Sequence, residues 1–141
     1  MKYLRPMLLM MLMTMPLWAA SRLGSYTGVV AQVPFEFVVG DKIIPAGQCI
    51  VQPATLAEET MLIRNADAKV DAFTRASTAE TRKAAGANAL IFHKYGDRYF
   101  LSAIQLEGTR TIYEMPQSRA EAEMKAQKVP SVEKTVLTNL Q

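Results

Sequence analysis

A chain of 141 residues holds one ordinary domain and is too short for two. Its 16 Lys and Arg include Lys2 and Arg5 at the start, so the rest carries 14 basic against 13 acidic side chains, without the clustered basic excess that nucleic-acid binding requires. One cysteine, Cys49, excludes an intramolecular disulfide, and together with one histidine, His93, it falls short of the four ligands of a closed zinc site.

Residues 1–21 have the three parts of a secretory signal: Lys2 and Arg5 as the positive end, an apolar run from Met7 to Trp18, and Ala19-Ala20-Ser21 as small residues before a cut after Ser21. A bilayer span takes about 20 apolar residues. Met7 to Ala20 supplies fourteen, with Pro16 among them, so a cleaved leader is expected rather than a retained anchor. Val29-Val30-Ala31 offers a second cut, after Ala31. The chain is expected to be exported, to the periplasm or beyond the cell, with no membrane span after cleavage.

From Val33 the pattern turns to period two, placing Val33, Phe35, Phe37 and Val39 on one face of a strand. Gly40-Asp41 punctuates it, Lys42-Ile43-Ile44 resumes it, and Pro45-Ala46-Gly47 is a turn leading to a short strand over Gln48 to Gln52. A hairpin follows, Thr60 to Arg64 and Lys69 to Thr74, around Asn65-Ala66-Asp67-Ala68, whose Asn and Asp stabilise turns through their own side chains. Residues 75–88 are polar and aperiodic and predict a surface loop, with a short helix over Ala79 to Ala85 as the alternative.

The clearest local signal is a hairpin of Ala89 to Tyr95 and Arg98 to Ile104 about Gly96-Asp97, where glycine first suits a type II′ turn. That register sets Phe92 against Leu101 and His93 against Phe100. A further strand is expected over Arg110 to Glu114, after a turn at Glu107-Gly108. Ser118-Arg119-Ala120-Glu121 fits a capping box opening a helix with Ala120, Met124 and Ala126 as its apolar stripe, ended by Pro130. Ser131 to Gln141 reads as a frayed tail or a late edge strand.

The whole predicts an all-β domain, a small sandwich or barrel of about seven short strands with a C-terminal helix covering a sheet edge. Its divisions are a leader at 1–21, a linker or lead-in at 22–32, a β-domain at 33–115 and a helix with tail at 116–141.

Three segments carry a resemblance. Val33 to Lys42 with Pro45-Ala46-Gly47, then Phe92 to Ser102 (FHKYGDRYFLS), then Ser118 to Glu121, resemble blocks of a group of small exported bacterial proteins common in soil bacteria. The match covers roughly residues 30 to 125. It implies export and a β-rich body and assigns no activity. One departure is Cys49, where an aromatic usually follows the Pro-Ala-Gly turn, which favours Cys49 as a core side chain.

Chemistry is thinly represented. His93, Tyr95, Asp97, Arg98 and Tyr99 form the densest polar and aromatic cluster, yet lack a paired carboxylate or nucleophile at hairpin spacing. Asp67 and Asp71 lack the dense acidic spacing of calcium loops, and no glycine-rich phosphate loop is present. No catalytic residue, cofactor or metal is expected. The leading expectation is a non-catalytic domain that binds or scaffolds at the cell envelope, with Tyr95, Arg98, Tyr99 and Tyr113 as a recognition surface for a protein or carbohydrate. The alternatives are a small secreted enzyme using His93 or Cys49, and a barrel carrying an apolar ligand.

Overall fold

A computed structural model describes residues 28–54 and 59–140. The leader and its cut after Ser21 lie outside the described residues.

Eleven strands and one helix follow one another: β1 (Val29–Val33), β2 (Phe37–Val39), β3 (Lys42–Ile44), β4 (Gly47–Pro53), β5 (Thr60–Asn65), β6 (Val70–Arg75), β7 (Ser77–Glu80), β8 (Asn88–Tyr95), β9 (Arg98–Gln105), β10 (Thr111–Glu114), α1 (Arg119–Ala126) and β11 (Ser131–Leu140). The all-β class with a C-terminal helix holds, with more strands than the seven expected. One sheet, antiparallel throughout, runs β1-β4-β5-β6; the other runs β3-β2-β9-β8-β11, antiparallel except for the parallel β2–β9 pair, with β10 on the far part of β9 and β7 beyond it. The two join where β11 leaves β8 and pairs its last residues, Asn139 and Leu140, with Val30 and Val29.

Proline breaks what alternation alone joins. Pro34 cannot donate to a ladder, and the Val33-to-Val39 run becomes β1 in one sheet and β2 in the other. The face survives the break: Val33, Phe37 and Val39 are buried and Phe35 packs against the same core. Between the sheets Phe37, Ile44, Val51, Ile63, Leu90, Phe92 and Ile104 fill the interior. Burying each is worth about 1.5–3 kcal/mol. The rings of Phe37 and Phe35 both meet Phe92 edge-on at 5.0 Å, a favoured aromatic geometry. Cys49 is fully buried in this core.

Two expected turns acquire a common fastener. Asn65 has no exposed surface; its Nδ2 donates to the carbonyl oxygens of Pro45 (2.8 Å) and Ala46 (3.4 Å), and its Oδ1 accepts from the N–H of Asp67 (2.9 Å) and Ala68 (2.8 Å). Asp67 in turn accepts from the Gln48 N–H. Gly47, at φ 140°, has no room for a Cβ, which would fall 2.9 Å from Asp67 Oδ2.

Two expectations are corrected. The 75–88 segment is not all loop, because β7 pairs residue for residue with β10; its side chains are mostly exposed, so no apolar alternation marks it. The end of the chain is neither tail nor edge strand: β11 forms eight registered pairs with β8 and lies between β8 and β1. β1 begins at Val29, within the segment expected as a linker or first-strand lead-in, and its Val29 and Ala31 are core residues.

The helix covers a face rather than an edge. Ala120 and Met124, with Val129 just beyond α1, pack on Val38, Tyr95 and Phe100 of the adjacent strands β2, β8 and β9; Ala126, counted in the expected stripe, is exposed. Ser118 caps α1 by accepting the Glu121 N–H at 3.1 Å. At the other end Lys128 takes φ 56°, its N–H bonds Lys125 O and the Val129 N–H bonds Met124 O. This is a Schellman ending with lysine where glycine is usual.

Candidate functional site

The β8–β9 hairpin builds the site. Gly96 at φ 58° allows the two-residue turn, and the register is the expected one, Phe92 opposite Leu101 and His93 opposite Phe100. Alternation then sends Phe92 inward and His93, Tyr95 and Phe100 outward beneath α1. A bulge follows: Ile91 pairs with Ala103, leaving Ser102 as the extra residue on β9. Bulges re-aim a side chain, and Ser102 Oγ lies 3.2 Å from His93 Nε2.

The other ring nitrogen, Nδ1, is 2.8 Å from Glu121 Oε1. The Glu121 side chain is 5% exposed and that of His93 39%. Within a capping box such a glutamate turns back to the cap N–H. Among the described residues only half the box forms, since the Glu121 carboxylate faces His93 and also takes a hydrogen bond from Tyr95. Burial, followed by the charge and bond of Glu121, raises the Tyr95 phenol above its ordinary value, while a bond from Ser131 lowers it. The phenol therefore stays protonated and donates.

These bonds fix the tautomer. A carboxylate oxygen accepts, so in the neutral imidazole the Nδ1 proton faces Glu121 and Nε2 presents its lone pair to the Ser102 hydroxyl. Glutamate, imidazole and serine thus stand in line, from a buried helix residue to a half-buried strand residue.

Beside this clasp runs an open groove of about 560 Å³ between the Gly40-Asp41 turn and the start of α1. Val38, Ile43 and Ala120 form its apolar floor and Asp41, Arg98, Arg119 and Glu123 its rim. Ile43 is 54% exposed. Arg119 and Glu123 pair at 3.3 Å, and the Arg98 guanidinium lies 5.3 Å from the Phe100 ring centre.

The four expected recognition residues do not form one surface. Tyr95 is 4% exposed under α1. Tyr99 stacks on Phe35 with ring centres 3.7 Å apart and has Lys94 Nζ 5.4 Å from its own centre. Tyr113 packs against the main core from β10. Arg98 alone is exposed, on the groove rim. His93 and Arg98 come together at the helix; Cys49 does not, and burial followed by the Asp67 charge pushes its thiol up to about 11, which suits packing rather than nucleophilic attack.

Sequence reasoning missed Ser102 and Glu121 as partners of His93. A signal for Ser102 was available, because a residue two beyond Phe100 is the diagonal neighbour of His93. Among the described residues no three His, Cys, Asp or Glu side chains gather to hold a metal, and no helix is long and apolar enough to cross a membrane. Fold and site together define an all-β sandwich-like domain whose helix is clasped to the outer face of one sheet. No family model, curated protein or solved structure matches the chain.

Proposed function

We propose that this is an exported domain that binds a protein partner at the cell envelope through the groove beside α1. The observation that carries the reading is convergence: the three segments that resemble small exported proteins supply this one groove, through Val38, Gly40 and Asp41, through Arg98, and through Ser118 and Arg119. Exposed Ile43 among charged rim residues suits a protein segment with an apolar side chain between polar ones. A sugar would need an open aromatic face, and the rings of Tyr95, Tyr99 and Tyr113 are engaged elsewhere. Carriage of an apolar ligand is less well supported, since core side chains fill the space between the sheets.

Export through a cut after Ser21 fits the fold better than a cut after Ala31, which would remove Val29 to Ala31 from β1 and from its ladder with β4.

The test places a photo-crosslinking residue at position 43 and, as a comparison, at Phe73, which is 64% exposed on β6. A discrete adduct from 43, absent from 73 and abolished by Arg98→Glu, supports the groove. Equal adducts from both positions, or adducts indifferent to Arg98→Glu, overturn it.

A further inference from the structure

We propose that Ser102 is a nucleophilic serine that accepts an acyl group from activated carboxylic esters, with His93 as its general base and Glu121 as the residue that orients His93. The proposal is independent of the groove reading and rests on the line of bonds at the hairpin.

Three features make the line chemical rather than only adhesive. Order is the first: serine Oγ to Nε2 at 3.2 Å and Nδ1 to carboxylate at 2.8 Å is the sequence of contacts a serine nucleophile uses. The second is polarity. The carboxylate oxygen of buried Glu121 accepts, so the neutral ring carries its donor on Nδ1 and leaves Nε2 as the proton acceptor facing Oγ; the opposite tautomer would place two acceptors against each other. Third is access. His93 is partly exposed and Ser102 only half-buried, so the pair lies at the edge of solvent rather than in the core. Ser102, at the β9 bulge, is the diagonal neighbour of His93, and Glu121 comes from the helix more than a dozen residues later.

The step balances. Ser102 Oγ attacks the ester carbonyl carbon while its proton passes to His93 Nε2. The Oγ–C bond forms, the ester C–O bond breaks, and the leaving alcohol takes the proton from Nε2. An acyl-serine and a free alcohol result, with the ring neutral again. With a fluorophosphonate the same attack forms an Oγ–P bond and releases fluoride.

The experiment treats the folded, exported chain with a fluorophosphonate and, separately, with p-nitrophenyl acetate, and maps adducts by peptide mass. Ser77, exposed on β7, is the internal reference. The expected result is an adduct on Ser102 forming at least 100-fold faster than on Ser77, in keeping with the contribution of a positioned base. Ser102→Ala removes it, and Glu121→Gln, which keeps the shape and removes the charge, slows it at least tenfold with an unchanged circular dichroism spectrum. No adduct on Ser102, or a rate equal to that of Ser77, overturns the proposal and leaves the bonds as a fastener for the helix. If Glu121→Gln fails to fold, the ratio of the two serines in the unaltered chain still decides.

Discussion

Replacing His93 with alanine isolates the bond that holds α1 to the sheet. The ring is partly solvent-exposed, so its removal forfeits little apolar burial, but it deprives the buried Glu121 carboxylate of a donor at 2.8 Å. Tyr95 remains as a second donor, which limits the penalty. Leaving a buried acceptor short of a partner costs about 1–3 kcal/mol, more when it is charged, so a loss of about 2–3 kcal/mol is expected. For a domain of this size that corresponds to a fall in Tm of roughly 8–15 °C. Trp18, the one tryptophan, lies outside the described residues, so urea unfolding should be followed by far-ultraviolet circular dichroism. Glu121→Ala and the double variant complete a cycle. Removing both partners should cost clearly less than the sum of the single losses, with a coupling of at least about 1 kcal/mol, because the orphaned carboxylate is then gone. A His93→Ala loss below about 0.5 kcal/mol, or strict additivity, would refute the clasp.

Three further outcomes follow from particular residues. Asn65→Ala should lower stability by about 2–4 kcal/mol, measured by the same unfolding, since it strips partners from Pro45, Asp67 and Ala68 together and opens a small void. Lys128→Gly should raise stability by about 0.5–1 kcal/mol, because glycine adopts φ 56° without the Cβ penalty; a loss instead would contradict the Schellman ending. Cys49 should resist alkylation at pH 8 in the native chain and react once urea unfolds it, as its folded thiol ionises near 11 rather than 9.0. The sign for stability is that the unfolded chain loses this proton first, so the contribution of the neutral buried thiol is full below pH 9 and declines as pH rises toward 11.

What the sequence revealed depended on whether side chains or neighbours decide a strand. The β8–β9 hairpin was legible in its turn and in its register as far as Phe92 and Leu101, since Phe92, Leu101 and Phe100 alternate about a Gly-Asp turn, though not in the bulge beyond. The Asn65–Asp67 turn was legible for the same local reason, though not its bond to the Pro45 turn, which only the Cys49-to-Asn65 register brings near. By contrast β7 was hidden, and β11 showed only as one of two readings, a late edge strand. Val132 and Leu137 are exposed on opposite faces of β11, and Val136 is only partly buried against the core, so β11 owes its place to the ladder β8 offers rather than to its own pattern. At the site, the capping-box spacing correctly located the start of α1 and, by accounting for Glu121 as a cap residue, concealed its bond to His93. Tyr95 was misread because a strand pattern gives the face of a ring but not the helix that covers it.

The most direct measurement is the intact mass of the protein recovered from a fractionated culture, with the crosslinking position at 43 in place. A chain beginning at Arg22, found outside the cytoplasm and carrying an envelope protein on residue 43, is the result expected. Full-length chain in the membrane fraction, or a mature chain beginning at Gln32, would contradict the proposed export of an intact β1-to-β11 domain.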